Sequence, residues 1–248
     1  MPNIVSRSAS LRNRKGRHAA LVRVTHWITV FCFVALLVSG IEILISHPRF
    51  YWGEVGNSVS SAVFKIPIPS SRRTVPTGYG YVLSDQNGWN RYLHFEAAWA
   101  LVLTGVIYVV FGLWTRHFGK NLFPDKADRT WAAFWRVIAH HLRMAPPDET
   151  EKHTYNALQR ITYLAVIFVW FPLVIWTGLA MSPTLNAAVP WVVNALGGRQ
   201  SARTLHFFVS VVLVLFLMVH VVMVVLTGFA VRMREMITGT TAVPKEQA

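Results

Sequence analysis

Four long apolar runs dominate this chain and limit what it can fold into. Each reaches the roughly 20 helical residues that cross about 30 Å of hydrocarbon, and a helix satisfies all of its backbone hydrogen bonds internally. Composition agrees, because 53% of the 248 residues are hydrophobic and only 14% are charged. We therefore predict an all-α integral membrane protein, a bundle of four transmembrane helices. The predicted spans are 27–45, 95–115, 161–181 and 206–231.

The distribution of cations predicts the orientation of these spans. Residues 1–25 are basic and contain no acid, and the loop 116–156 adds seven Lys and Arg residues. The loops on the other side carry fewer. By the positive-inside rule both termini, including the tail 233–248, are predicted to be cytoplasmic. Because the cations flank membrane spans and form no aromatic-interleaved patch, no nucleic-acid partner is expected; the partner of these surfaces is membrane lipid.

Histidines are set into the apolar spans or lie at their ends. An ionisable side chain inside a bilayer costs at least a few kcal/mol, so the deeper ones in particular indicate function. His26 begins the first span from the inside, and His94 begins the second from the outside. On the fourth span, His206 and His220 are fourteen residues apart, which places them about 21 Å apart in depth and about 40° apart around the helix. The histidines therefore form an outer pair, His94 with His206, and an inner pair, His26 with His220.

Paired imidazoles from facing helices are suitable axial ligands for b-type haem, and the core of a bundle supplies an apolar site for the porphyrin. The bundle is thus predicted to bind two b haems, with the four histidines as iron ligands. Three of them follow an arginine by one helical turn, where a guanidinium can bind a haem propionate. Those arginines are Arg23, Arg91 and Arg203.

Other interpretations of these residues remain open at this point. The arginines can be interfacial residues that extend toward the headgroups, and the histidines can belong to a metal site or a proton pathway. A proton pathway would need carboxylates in the middle of the membrane. The acids within the spans, Glu42 and Glu96, both lie toward the outer ends. A haem-free transporter or anchor is a further alternative.

Features outside the histidine layers give weaker indications. The outside loop 47–90 is long and rich in Gly, Pro, Ser and aromatic residues, which predicts a binding role. In the cytoplasmic loop, residues 131–143 have the spacing of a short interfacial helix. The single cysteine, Cys32, is expected to be a small packing residue. Pro172 and Gly178 are expected to kink and thin the third span.

The motifs RVTHWI, YNALQRITYLAVIFVWFPLVIWTGLAMSP and RTLH, with a second histidine fourteen residues after the last, resemble those of the prokaryotic cytochrome b561 family. They are most similar to the di-haem subunits of formate dehydrogenase, nickel-iron hydrogenase and thiosulfate reductase. The resemblance covers roughly residues 20–232 and implies a di-haem membrane domain over 26–232. It also implies a quinone site at Asn156, although Leu158 replaces the small residue of the formate dehydrogenase subunit.

The resemblance implies a function in electron transport. We expect a di-haem cytochrome b that transfers electrons between the quinone pool and a catalytic subunit on the periplasmic side. A molybdopterin oxidoreductase is favoured as that partner, because the segment FYWGE and the stretch PLVIWTGLAMSP are most similar to cytochromes that accompany such enzymes. The alternatives are a hydrogenase cytochrome b subunit and a free-standing quinol-linked superoxide or ferric reductase.

Overall fold

The computed structural model describes residues 19–56, 60–68, 77–119 and 157–239, with the backbone alone at 77–88 and 157–159. Within these ranges four helical segments are long and apolar enough to cross a membrane, at Ala20–Ser46, Trp89–Trp114, Arg160–Ala180 and Arg199–Leu226. The predicted class, a four-span helical membrane protein, is confirmed. The elements are α1 (Ala20–Ser46), β1 (Arg49–Phe50), β2 (Phe64–Lys65), α2 (Thr77–Trp114), α3 (Ala157–Ala165), a π-helical turn (Val166–Trp170), α4 (Phe171–Ala180), α5 (Pro183–Ala188), α6 (Trp191–Asn194), α7 (Arg199–Leu226) and α8 (Phe229–Thr238).

The helices bury small and hydroxylated residues and expose large apolar ones. Ser39, Thr177 and Ala180 are completely buried, whereas Phe31 is 72% exposed and Leu226 is 75% exposed. This is the reverse of a water-soluble protein and is typical of helices that pack closely while their outer faces contact lipid. Buried hydroxyls such as that of Ser39, which donates to the carbonyl of Ala35 over 2.7 Å, are satisfied within their own helix. Cys32 is buried as a free thiol, in agreement with the packing role expected for it.

The third span adapts to Pro172 through a change in helix type. Proline has no N–H and its ring collides with the carbonyl four residues earlier. Directly before it the helix takes one π-helical turn, Val166–Trp170, and the amide of Phe171 donates to Val166. A π turn widens the helix at such a position. The sequence predicts a kink at Pro172, and the structure shows this π-helical turn next to it.

The outside loop predicted over 47–90 is shorter in the structure, because α2 begins at Thr77. The glycines of 77–90 suggest a loop, but extending an existing helix requires no new nucleation and keeps the backbone hydrogen bonds satisfied. The first part of the loop contains an antiparallel pair in which Arg49 lies opposite Lys65 and Phe50 opposite Phe64.

The fourth span ends earlier than the predicted 206–231. Helix α7 stops at Leu226, and Gly228 adopts a left-handed conformation with φ of 101° before α8 begins. A residue without Cβ adopts this conformation at little cost. Gly239 ends α8 in the same way, with φ of 76° and its amide bonded to the carbonyl of Glu235. The apolar pattern continues through the break, which is why the sequence alone predicts one helix.

The chain divides into two compact units. The first comprises Met1–Ile43, Gly78–Tyr108 and Val214–Ala248, and the second comprises Leu44–Thr77 and Val109–Leu213. In the second unit a small core of Ala180, Val193 and Ala202 joins α4, α6 and α7. The first unit contains His26, His94 and His220, and the second contains His206.

Candidate haem-ligand histidines

His26 and His220 come together in the first unit. Their ring centroids lie 6.4 Å apart and their planes are inclined by 56°. His26 leaves the first turns of α1, and His220 lies in the last third of α7. Phe216 stacks on His220 with centroids 6.0 Å apart, and Trp27 meets His26 edge-on at 5.6 Å. The structure therefore places side by side the two histidines that helix depth assigns to the inner layer.

The separation of these rings matches the requirement of two ligands on one metal ion. An imidazole nitrogen lies about 2 Å from a bound metal and the ring centre about 1 Å farther, so two ligands on opposite sides have centroids about 6 Å apart. The observed 6.4 Å is close to this value. The chemistry of the pair, two imidazoles among aromatic and aliphatic side chains, also suits haem iron.

His94 is held within the first unit by a hydroxyl of α1. Its Nδ1 lies 3.0 Å from the Oγ atom of Ser39. The next residue, Gly40, lies against the same ring, since a Cβ atom there would be 3.7 Å from the Cε1 atom of His94. The ring is thus fixed from α1 through a serine and a glycine.

His206 is held within the second unit in a similar way by α4. Its Nδ1 lies 3.1 Å from the Oγ1 atom of Thr177 and 3.1 Å from the carbonyl oxygen of Val174. A Cβ atom on Gly178 would lie 3.4 Å from the Cε1 atom of this ring. His94 and His206 belong to different units, so their pairing stays a prediction.

Two of the three arginines predicted to bind propionates donate to backbone carbonyls. The guanidinium of Arg23 donates to Ile237 over 2.8 Å, and that of Arg203 donates to His47 while lying 5.1 Å from the ring centroid of Phe50. Arg91 is exposed. The arginines of the first and fourth spans therefore also fasten neighbouring segments, a role that the sequence spacing does not indicate.

The beginning of α7 is held by the segment that follows α1. The Oε2 atom of Glu54 accepts the amide of Arg199 over 2.9 Å, and the carbonyl of Gly53 accepts the amide of Gln200 over 2.9 Å. One turn later the hydroxyl of Thr204 donates to Tyr51 over 2.7 Å. The bonds of Arg199 and Gln200 satisfy amides that a helix N-terminus leaves open. The segment FYWGE, expected to take part in binding a partner, thus also anchors the helix that carries His206.

Some predicted site residues lie outside the part of the chain that the structure describes. Asn156 and the interfacial helix predicted over 131–143 are among them. Arg160, four residues after Asn156, is half-buried at the beginning of the third span. Glu42 is half-buried and Glu96 is exposed. The residues that the sequence analysis missed are Ser39 and Thr177, whose contacts with histidines arise from the packing of one helix against another.

The fold and the histidines define a class: a four-span helical membrane protein with imidazoles held inside it. The family model of prokaryotic cytochrome b561 matches residues 17–239. This chain belongs to that family and is a membrane b-type cytochrome, for which b-type haem is the cofactor.

Among similar proteins is a putative protein-methionine-sulfoxide reductase subunit of Azospira oryzae, 30% identical over 214 residues that cover 84% of this chain and 90% of the relative. A probable Ni/Fe-hydrogenase B-type cytochrome subunit of Bradyrhizobium diazoefficiens is 22% identical over 82% of this chain and 75% of its own. A protein of the same description from Cupriavidus necator is 23% identical over 82% of this chain and 76% of its own length. No solved structure matches the chain.

Proposed function

We propose that the protein is a di-haem cytochrome b that passes electrons across the bacterial inner membrane, between the quinone pool and a catalytic subunit on the periplasmic side. In this proposal His26 and His220 ligate the haem of the cytoplasmic side, and His94 with His206 ligate the haem of the outer side. Both termini are cytoplasmic. Bound haem carries one electron at a time through the ferric and ferrous states of its iron.

The observation that carries the proposal is the 6.4 Å between the ring centroids of His26 and His220. Two imidazoles this close, on helices from opposite ends of the chain, fit one iron between them. Phe216 and Trp27 flank the rings, with ring centroids 6.0 Å from His220 and 5.6 Å from His26. Neighbouring side chains of this kind tune the reduction potential of a metal centre.

The outer site is supported by the way its two histidines are held. His94 and His206 each contact a buried hydroxyl through Nδ1, which leaves the opposite nitrogen of each ring as the ligating atom. The order and direction of the predicted spans are the reason to expect both near the outer face. A haem there would be the acceptor or donor nearest to a periplasmic partner.

The quinone and the partner are the parts of the proposal that rest on resemblance. Asn156 is assigned to a quinone site near the cytoplasmic haem. A partner subunit is supported by the relatives, one of which is described as a subunit of a putative protein-methionine-sulfoxide reductase. A molybdopterin oxidoreductase is the partner that we propose. The relatives described as hydrogenase B-type cytochrome subunits favour hydrogenase as the second candidate.

The decisive experiment counts haem in the purified full-length chain. A pyridine haemochrome assay against quantitative amino-acid analysis is expected to give two non-covalent b haems per chain, and a quinol analogue is expected to reduce both. One haem per chain would contradict the di-haem assignment. Purification in mild detergent then tests the partner, because a free-standing reductase would reduce superoxide or ferric chelates from quinol without any second subunit.

A further inference from the structure

Two histidines in separate units are held by the same kind of contact. Ser39 of α1 contacts Nδ1 of His94 over 3.0 Å, and Thr177 of α4 contacts Nδ1 of His206 over 3.1 Å. Both hydroxyl residues are completely buried, and each is followed by a glycine that lies against the same ring. This recurrence points to a role beyond packing.

For His206, the contacts determine which ring nitrogen carries the hydrogen. The Nδ1 atom lies 3.1 Å from the carbonyl oxygen of Val174, and a carbonyl oxygen only accepts hydrogen bonds. Thr177 uses its own hydroxyl hydrogen on carbonyls of its helix, with Leu173 at 2.8 Å. The Nδ1 atom of His206 is therefore the donor to both groups, and the lone pair of the neutral ring lies on Nε2.

For His94, the same conclusion follows from Ser39. The hydroxyl of Ser39 donates to the carbonyl of Ala35 over 2.7 Å. Because a hydroxyl has one hydrogen and two lone pairs, its contact with His94 is one in which it accepts. Nδ1 of His94 then carries the hydrogen, and Nε2 presents its lone pair.

We propose that Ser39 and Thr177 are positioning residues that fix the outer histidines in the tautomer with hydrogen on Nδ1 and so present Nε2 to iron. The inference rests on the proposed outer haem. A hydrogen-bond acceptor on the far nitrogen of a metal-bound imidazole fixes the ring and makes it a stronger donor. A stronger donor favours ferric over ferrous iron, so these hydroxyls lower the potential of the outer haem and slow its loss.

The test compares S39A and T177V with wild-type protein, purified with haem bound. Redox potentiometry is expected to show a higher midpoint potential for the outer haem. The shift should be larger in S39A than in T177V, where the carbonyl of Val174 still accepts from Nδ1 of His206. The inner haem should keep its wild-type potential. Transfer of haem to apomyoglobin should be about tenfold faster for the outer haem, since loss of such a supporting contact weakens metal binding by about 10- to 100-fold. The conservative variants S39T and T177S keep the hydroxyl, so they should show the wild-type potential of the outer haem and the wild-type rate of haem transfer.

A matched control separates positioning from general packing. Thr104 is also a nearly buried threonine of a transmembrane helix, with its hydroxyl bonded to Ala100 over 2.7 Å. T104A should leave both potentials unchanged. If S39A and T177V moved neither the potential nor the rate of haem transfer, or moved those of both haems equally, the inference would be overturned.

The failure of this inference is distinguishable from failure of the proposed function. A wild-type preparation that binds only one haem overturns both the di-haem function and the positioning role. The haem content of the wild type is therefore measured before any variant is made. Two haems in the wild type with an unmoved outer potential in S39A and T177V overturn the positioning role alone.

Discussion

The rings of His26 and His220 lie 6.4 Å apart between centroids, although the two residues are far apart in sequence. Helix depth predicts that both occupy the inner layer, and the structure adds that they are neighbours in one compact unit. This proximity supports the proposal that the two histidines ligate one haem. If so, mutations can separate the inner site from the outer one.

The first prediction is that H220A removes the inner haem and leaves the outer haem, whereas H206A does the reverse. Each variant loses one axial ligand, and the remaining histidine pair is untouched. Redox potentiometry resolves the two components in the α-band. H117A is the control, because His117 follows α2 and belongs to neither pair, so both haems should persist. Loss of the same spectral component in H206A and H220A would show that the layer assignment is wrong.

The second prediction concerns the end of α8 and its contact with α1. Gly239 has φ of 76°, and a Cβ atom there would lie 2.8 Å from the guanidinium carbon of Arg23. G239A is therefore expected to displace Arg23 from the carbonyl of Ile237 and to cost about 1–2 kcal/mol for the left-handed conformation alone. The free energy of unfolding by SDS titration in mild detergent measures this change.

Gly105 supplies the matched control for G239A. It lies inside α2, and a Cβ atom at that position meets nothing within 4 Å. Because alanine is favoured over glycine within a helix by about 0.5–1 kcal/mol, G105A should leave stability unchanged or raise it. Equal destabilisation by G239A and G105A would indicate that the contact between Arg23 and α8 contributes nothing to the free energy of unfolding.

Much of this architecture follows from sequence because the membrane imposes simple rules. A run of about 20 apolar residues has to be a helix, and fixed rise per residue places His206 and His220 at different depths. The same rules do not predict the residues at which helices begin and end. The start of α2 at Thr77 and the end of α7 at Leu226 depend on backbone conformation in apolar or glycine-containing stretches, where the pattern of side chains changes little.

The supporting contacts of the site could not be derived from sequence for a different reason. Ser39 and Thr177 become partners of histidines only through the packing of one helix against another, and spacing within a helix carries no information on that. Likewise Arg203 has the spacing of a propionate ligand, but its guanidinium reaches a carbonyl of a segment distant in sequence, at His47. Long-range packing decided these roles.

The third prediction is the orientation of the chain. The only native cysteine, Cys32, is buried, so C32A gives a background without accessible thiols. In that background K65C, on the exposed residue of β2, should react with a membrane-impermeant maleimide in spheroplasts. A248C should react only after the membrane is opened. The opposite pattern would place the termini outside.

The fourth prediction tests the quinone site. N156L is expected to slow the reduction of the haems by a quinol analogue, because the amide would no longer bond to the quinol head, while the haem spectrum remains as in wild type. N186L is the matched control, since Asn186 lies in α5, in the connection between the third and fourth spans. Stopped-flow reduction kinetics measure both variants. Unchanged kinetics in N156L would move the quinone site elsewhere.

The fifth prediction concerns the face that contacts a periplasmic partner. In the segment FYWGE, Tyr51 is buried, and Gly53 and Glu54 bond to the beginning of α7. The side chain of Trp52 between them is 60% exposed. A large aromatic side chain projecting from a backbone that is held rigidly has the properties of an interface anchor. W52A is therefore expected to weaken binding of the catalytic subunit without disturbing α7.

The expected size of that effect is about 2 kcal/mol, the usual threshold for an anchoring residue at an interface, which corresponds to roughly a 30-fold rise in Kd. Binding is measured with the purified partner and haem-loaded protein in mild detergent, and electron transfer is followed by reoxidation of the outer haem. W114A is the control, because Trp114 at the end of α2 is 86% exposed and is predicted to lie on the cytoplasmic side. An unchanged Kd in W52A, or an equal loss in W114A, would remove the FYWGE segment from the docking face.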